Sequence, residues 1–183
     1  LFLYKLGDNM ATALQTPFFV DLGFTGTQIG AISKTAGLVA VILGGMMGGL
    51  IMVKLAINRA LWLFGIVQII SILGFAILSE VGPNPWMLGI AVFFEYLGVG
   101  LGAAALIAFM ARTTNPAFAA TQLALFTAIA AVPRVFANSV TGVIVEQTGW
   151  TNLFLLCMVF AIPGMLLLIK VAPWNENRTN AGR

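Results

Sequence analysis

Residues 38–53 read LVAVILGGMMGGLIMV, an apolar run without one charged side chain. A transmembrane β-strand alternates in polarity at every second residue over about ten residues, and this run does not. It fits the stretch of roughly 20 apolar residues that crosses the hydrocarbon core as an α-helix. Gly44, Gly45, Gly48 and Gly49 form overlapping GxxxG spacings, which let membrane helices pack closely. A phosphate-cradling loop would follow a strand, and no strand precedes these glycines. GVGLG, with Gly98, Gly100 and Gly102, reads the same way.

The rest of the chain repeats this character. Of its 183 residues 60% are hydrophobic and 8% charged, and the mean hydropathy is +1.02. Soluble domains carry about 25% charged residues, so the chain reads as an integral membrane protein. Its 20 Gly and 7 Pro suit transmembrane helices, which tolerate both. One cysteine, Cys157, and no histidine exclude an intrachain disulfide and the usual zinc or haem ligand sets. The net charge of +3 comes from dispersed residues, so no nucleic-acid partner is expected. No metal and no cofactor are expected, and no nucleophile–base pair suggests an enzyme. Leu1 lies inside an apolar run, so the chain reads as part of a longer protein.

Six apolar windows can be marked: Leu1–Val20, Ile29–Val53, Ala60–Leu78, Trp86–Met110, Leu123–Val145 and Leu153–Val171. The expected architecture is all-α, with a six-helix transmembrane bundle over residues 1–172 and a cytoplasmic tail over 173–183. The first, third and fifth connections carry Asp21, Glu80 and Glu146 and no basic residue. The second, the fourth and the tail region carry Lys54, Arg59, Arg112, Lys170, Arg178 and Arg183. The positive-inside rule puts that second set, and both ends of the chain, in the cytoplasm. The sequon Asn177-Arg178-Thr179 falls in the tail and reads as a chance match.

Five charges fall inside the windows: Lys5, Asp8, Lys34, Glu95 and Arg134. Facing lipid, each would cost roughly 2.5–3.5 kcal/mol, so they are expected to face the bundle interior or a wet cavity. Windows one, two, four and five carry them; three and six carry none, little more than Gln68, Ser71 and Cys157 being polar there. The twofold pattern fits two three-helix repeats, as in secondary transporters. At about 1.5 Å per residue, Asp8 and Arg134 lie roughly 18 Å, Glu95 about 14 Å, Lys34 about 9 Å and Lys5 about 23 Å below the outer helix ends. Such depths bracket the membrane middle, where transporters place substrate and ion sites.

Helical phase supports an interior face. Lys5, Asp8, Thr12 and Gln15 form one stripe, and Thr127, Arg134, Asn138 and Thr141 another. Glu95 shares a face with Gly98 and Gly102, and Pro133 should loosen its helix. These stripes also suit hydrogen-bonded glue between helices. Lys5 and Asp8 are spaced to pair, and Arg134 is a further partner for Asp8. Glu95 has no charged neighbour in its own window. Desolvation favours the neutral form of a carboxyl, which suits a proton carrier. Glu95 and Asp8 are therefore the proton-coupling candidates. Three cations and two acids sum to +1, favouring an anionic substrate, with Lys34, Arg134, Asn138 and Lys5 as its binding residues.

Several motifs resemble the second half of the AmpG-type muropeptide permeases of the major facilitator superfamily. They are YKLGD (4–8), IGAISKTAGL (29–38), GGMMGGLIM (44–52), RALWLFGIVQ (59–68), AVFFEYLGVGLGAAALIAFM (91–110), ATQLAL (120–125) and Arg134-Val135. The resemblance implies half of a twelve-helix carrier in the bacterial inner membrane, completed by an N-terminal half. It implies proton symport of N-acetylglucosaminyl-anhydro-N-acetylmuramyl peptides for peptidoglycan recycling. Two departures stand out. The superfamily's GxxxDRxGRR signature aligns on Gly49 to Arg59 with one extra residue, where Gly49, Lys54 and Arg59 fit but Val53 holds the acidic position. Family residues of the other half have no counterpart here. A related facilitator for another anionic solute (acetyl-CoA-like), a drug exporter, and a channel or membrane scaffold are the rival expectations.

Overall fold

A computed structural model describes residues 2–114 and 118–174. The described residues are helices and short connections. In order they are α1 (Phe2–Ala13), α2 (Gln15–Asp21), α3 (Gly26–Gln28), a π-helical segment (Ile29–Ser33), α4 (Lys34–Lys54), α5 (Ile57–Val81), α6 (Pro85–Thr113), α7 (Ala119–Thr148) and α8 (Trp150–Val171). The connections use the expected turn chemistry. Thr25 and Gln28 form a reciprocal capping box before α3. Asn84 Oδ1 accepts from the backbone N–H groups of Trp86 and Met87, with Pro85 in the first turn of α6. Gly149, at φ +80°, separates α7 from α8.

Among the described residues, four continuous helical stretches are long and apolar enough to cross a membrane: Gly26–Lys54, Ile57–Val81, Pro85–Thr113 and Trp150–Val171. The other two expected windows differ. The first is broken at Leu14. Pro17 has no N–H to give the Ala13 carbonyl and its ring crowds that oxygen, so the α-helix stops at Ala13 and restarts at Gln15. The fifth is a helix of 30 residues, starting before the expected Leu123.

Packing follows the glycines. A Cβ on Gly100 would meet the Val41 carbonyl oxygen at 2.5 Å, and one on Gly48 the Ala104 methyl at 3.0 Å. The backbones of α4 and α6 therefore touch, and Gly44 lies in the same seam. Gly45 and Gly49 meet nothing within 4 Å. In GVGLG, Gly100 faces α4, while Gly98 and Gly102 face Gln68 and Ser71 of α5. Residues two apart on a helix point to nearly opposite sides, so one motif serves two neighbours.

Helix α4 packs on α6, and α1 on α7; α5 packs on α6, and α8 on α1; α5 also packs on α8. Exchanging α1–α2, α3–α4 and α5 with α6, α7 and α8 maps this pattern onto itself. A pair of three-helix repeats produces such a pattern. Leu63, Ile66, Ile70 and Ile77 form an exposed apolar stripe on α5, as do Leu38, Ile42, Met46 and Leu50 on α4. Such stripes suit a bilayer or another membrane helix.

Candidate functional site

Among the described residues the charges of the windows divide between two places, Asp8 and Glu95 at one and Lys34 at the other. The first is a buried polar seam between α5, α6 and α1. Glu95 of α6 is 0% exposed, and the Ser71 hydroxyl of α5 donates to its Oε2 at 2.6 Å. Ser71 Oγ also lies 2.8 Å from the Gln68 carbonyl oxygen. Glu95, Gly98 and Gly102 share the face that meets α5, as their spacing predicts. Asp8 is also buried and lines a small cleft with Tyr4 and Gln68. The Tyr4 hydroxyl donates to the Leu61 carbonyl at 3.2 Å. Both acids thus face the middle of α5, which sets Gln68 and Ser71 between them.

The second place is a cavity of about 580 Å³ bounded by α2, the π segment, α4 and α6. Lys34 lines it, together with Gln15, Thr16, Ser33, Gly37 and Tyr96. Glu95 points the other way, although Tyr96 follows it in sequence: neighbours on a helix are turned by about a third of a circle. The Lys5, Arg134 and Asn138 side chains lie outside the described residues, as does any Lys5–Asp8 or Asp8–Arg134 pair and the surroundings of Pro133.

Sequence reasoning set Gln68 and Ser71 aside as incidental and passed over Tyr96 and Ser33. One signal was available: Gln68 and Ser71 are three apart, so they form a polar pair on one face of an otherwise apolar helix.

The two ends of the bundle are fastened differently. At the end carrying Lys54, Arg59 and Arg112, the first turns of α5 hold the chain that leaves α8. Asn58 Nδ2 donates to the Pro173 carbonyl at 3.2 Å, Trp62 Nε1 to that of Ala172 at 3.0 Å, and Arg59 Nε to that of Trp174 at 3.3 Å. Arg59 also lies 5.8 Å from the Trp174 ring centroid, and Arg112 Nη1 donates to Asn58 Oδ1 at 3.4 Å. Residues 173–174, expected as the start of a tail, are thus held against α5. At the opposite end Trp150 Nε1 donates to Asp21 Oδ2 at 3.2 Å and Thr151 Oγ1 to Glu80 Oε1 at 2.7 Å. There Phe18 packs on Phe75, Phe154 and Trp150, with centroids 4.8–6.2 Å apart.

Buried acids on one side of a helical bundle and a lysine-lined cavity on another suit a carrier of the kind that places its sites within the membrane, and the chain matches the Major Facilitator Superfamily over residues 1–183. It belongs to that superfamily, and is a multi-pass membrane protein. Within the superfamily it is of AmpG type. It is 42% identical over 168 residues to the anhydromuropeptide permease of Escherichia coli K12, covering 91% of this chain and 34% of that protein. It is 33% identical over 171 residues to the putative transporter AmpG 1 of Rickettsia prowazekii, covering 93% of this chain and 39% of that one. An uncharacterized protein of Haemophilus influenzae is 47% identical over 190 residues, covering 99% of this chain and 45% of that protein. The chain therefore spans less than half the length of these relatives.

Proposed function

We propose that the chain forms one half of a proton-coupled carrier importing anhydromuropeptides across the bacterial inner membrane for peptidoglycan recycling. In this reading it contributes six spans in two three-helix repeats, with the broken α1–α2 unit and α7 counted among them. The end bearing Lys54, Arg59 and Arg112 faces the cytoplasm, with both chain ends on that side. An N-terminal half of the same carrier covers the exposed stripe of α4. The two halves rock about the mid-membrane site, as in related carriers.

The observation that carries the coupling is the complete burial of Glu95 in a membrane helix, held by the Ser71 hydroxyl. A carboxyl so placed is costly when charged and is retained where protons move. Glu95 is the proton carrier, with Asp8 as the second acid of the seam. Lys34 pairs with a substrate carboxylate from the cavity; Arg134, Asn138 and Lys5 are assigned to the same task from sequence. The cargo rests on the likeness to the Escherichia coli permease.

The test is uptake of labelled N-acetylglucosaminyl-anhydro-N-acetylmuramic acid by the full-length protein, in cells lacking their own carrier, with and without a protonophore. Gradient-dependent accumulation is expected. Absence of uptake by well-expressed protein would replace the cargo with another anionic solute. Uptake indifferent to the protonophore would favour a channel.

A further inference from the structure

Two irregularities of the backbone face each other across the cavity. On one side α1 stops at Ala13 and α2 restarts at Gln15, because of Pro17. On the other the chain runs as a π-helix over Ile29–Ser33, ending immediately before Lys34. Isolated π turns recur at functional sites, and interrupted helices form the binding sites of many carriers.

Gln15 sits at the first break and is 7% exposed. The Tyr96 hydroxyl of α6 donates to its Oε1 at 2.9 Å, which fixes the plane of the amide. Its Nε2 is buried and has no hydrogen-bond partner among the described residues; the same holds for Ser33 Oγ on the π segment. Tyr96 is set in place from behind by Gly37, where an added Cβ would touch the ring at 3.4 Å. A buried amide N–H left without an acceptor costs free energy. Here the residues that carry this donor and this hydroxyl, Gln15 and Ser33, both line the cavity that Lys34 lines.

We propose that this cavity is a subsite for an acylamino group next to a carboxylate. Gln15 Nε2–H donates to the acyl carbonyl oxygen, Ser33 Oγ accepts the amide N–H, and Lys34 meets the carboxylate. Tyr96 is a positioning residue, acting through Gln15. The assignment rests on the carrier reading above. The acylamino group could come from an N-acetylated sugar or from a peptide; both present the same donor and acceptor.

The test is thermal stabilisation of the purified full-length protein, a readout that does not require transport. The probes are N-acetylmuramic acid against muramic acid, and N-acetylalanine against alanine. The wild type is expected to bind at least one acetylated probe about tenfold better than its free-amine counterpart, the effect of one well-made hydrogen bond to a buried group. Gln15→Leu, close in size but without donors, should abolish that preference, and Ser33→Ala should reduce it. Tyr96→Phe should weaken it while leaving the cavity shape intact. The pair that loses its preference in Gln15→Leu identifies the source as sugar or peptide. Equal binding of acetylated and free-amine probes by the wild type, or an undiminished preference in both Gln15→Leu and Ser33→Ala, would overturn the subsite. Failure of uptake together with a Gln15-dependent preference would overturn the cargo and leave the subsite standing.

Discussion

At Glu95 the decisive quantity is solvent access. The side chain is 0% exposed and its carboxylate takes a hydroxyl hydrogen bond from Ser71. Gln has nearly the same shape and cannot release a proton. Glu95→Gln is therefore expected to bind substrate but to lose protonophore-sensitive accumulation, with internal and external substrate merely equilibrating. Unchanged gradient-driven accumulation in that variant would remove Glu95 from the coupling. Ser71→Ala deletes a hydrogen bond to a carboxyl group worth roughly 1.5–3 kcal/mol when the group is charged. Coupled uptake about tenfold or more slower, at normal membrane expression, is the expected result. An unaffected rate would mean that Ser71 only fills space. Glu95 was legible in the sequence, because one acid in an apolar window is conspicuous. Ser71 was not, because a serine in a membrane helix is common and its partner sits 24 positions away.

Among the elements, the α4–α6 seam separates two pairs of glycines that look equivalent in GGMMGG. Gly44 and Gly48 are buried in the seam, whereas Gly45 and Gly49 meet nothing within 4 Å. Gly44→Ala should destabilise the protein by about 1–3 kcal/mol, because its methyl would have to displace the backbone of α6. Gly45→Ala should be neutral or stabilising by up to roughly 1 kcal/mol, the helix-propensity gain. Thermal unfolding of the two variants in one detergent checks this; equal effects would mean the seam is looser than its geometry. The glycine spacing announced close packing, but four glycines in six positions cannot say which pair faces the neighbour. That depends on the rotation of α4 about its axis, which α6 sets.

For the whole molecule, the α5 clamp on residues 172–174 closes the bundle at its basic end, joining α5 to the end of α8. Trp62→Phe and Asn58→Ala each remove one side-chain hydrogen bond to that segment. Each should cost about 1 kcal/mol, a fall in Tm of roughly 2–4 °C for a domain of this size. Faster protease cleavage near Trp174 should accompany it. An unchanged Tm in both variants would show that packing of α8 alone holds the end. The alignment of Arg59 with a family signature whose acidic position is Val53 gave no hint of this use. Its partner is a backbone carbonyl, which leaves no mark in a side-chain pattern.

The sequence by itself determined that the chain is helical, membrane-embedded and interrupted by charges, of which the acids Asp8 and Glu95 are buried. Each of these is a property of consecutive residues: the transfer free energy of an apolar run, the turn preference of Gly, Pro and Asn, the cost of an ion in lipid. It also marked Glu95 and Asp8 as the acids to watch. Only the tertiary structure decided how the polar residues divide. It turned the two acids toward α5 and left Lys34 with Gln15, Ser33 and Tyr96 on a separate cavity. The reason is angular. A side chain's neighbours depend on how each helix is rotated against the next, and on a break at Pro17 and a π turn before Lys34 that shift that rotation partway along. No single helix carries that information, because it exists only once the helices have packed.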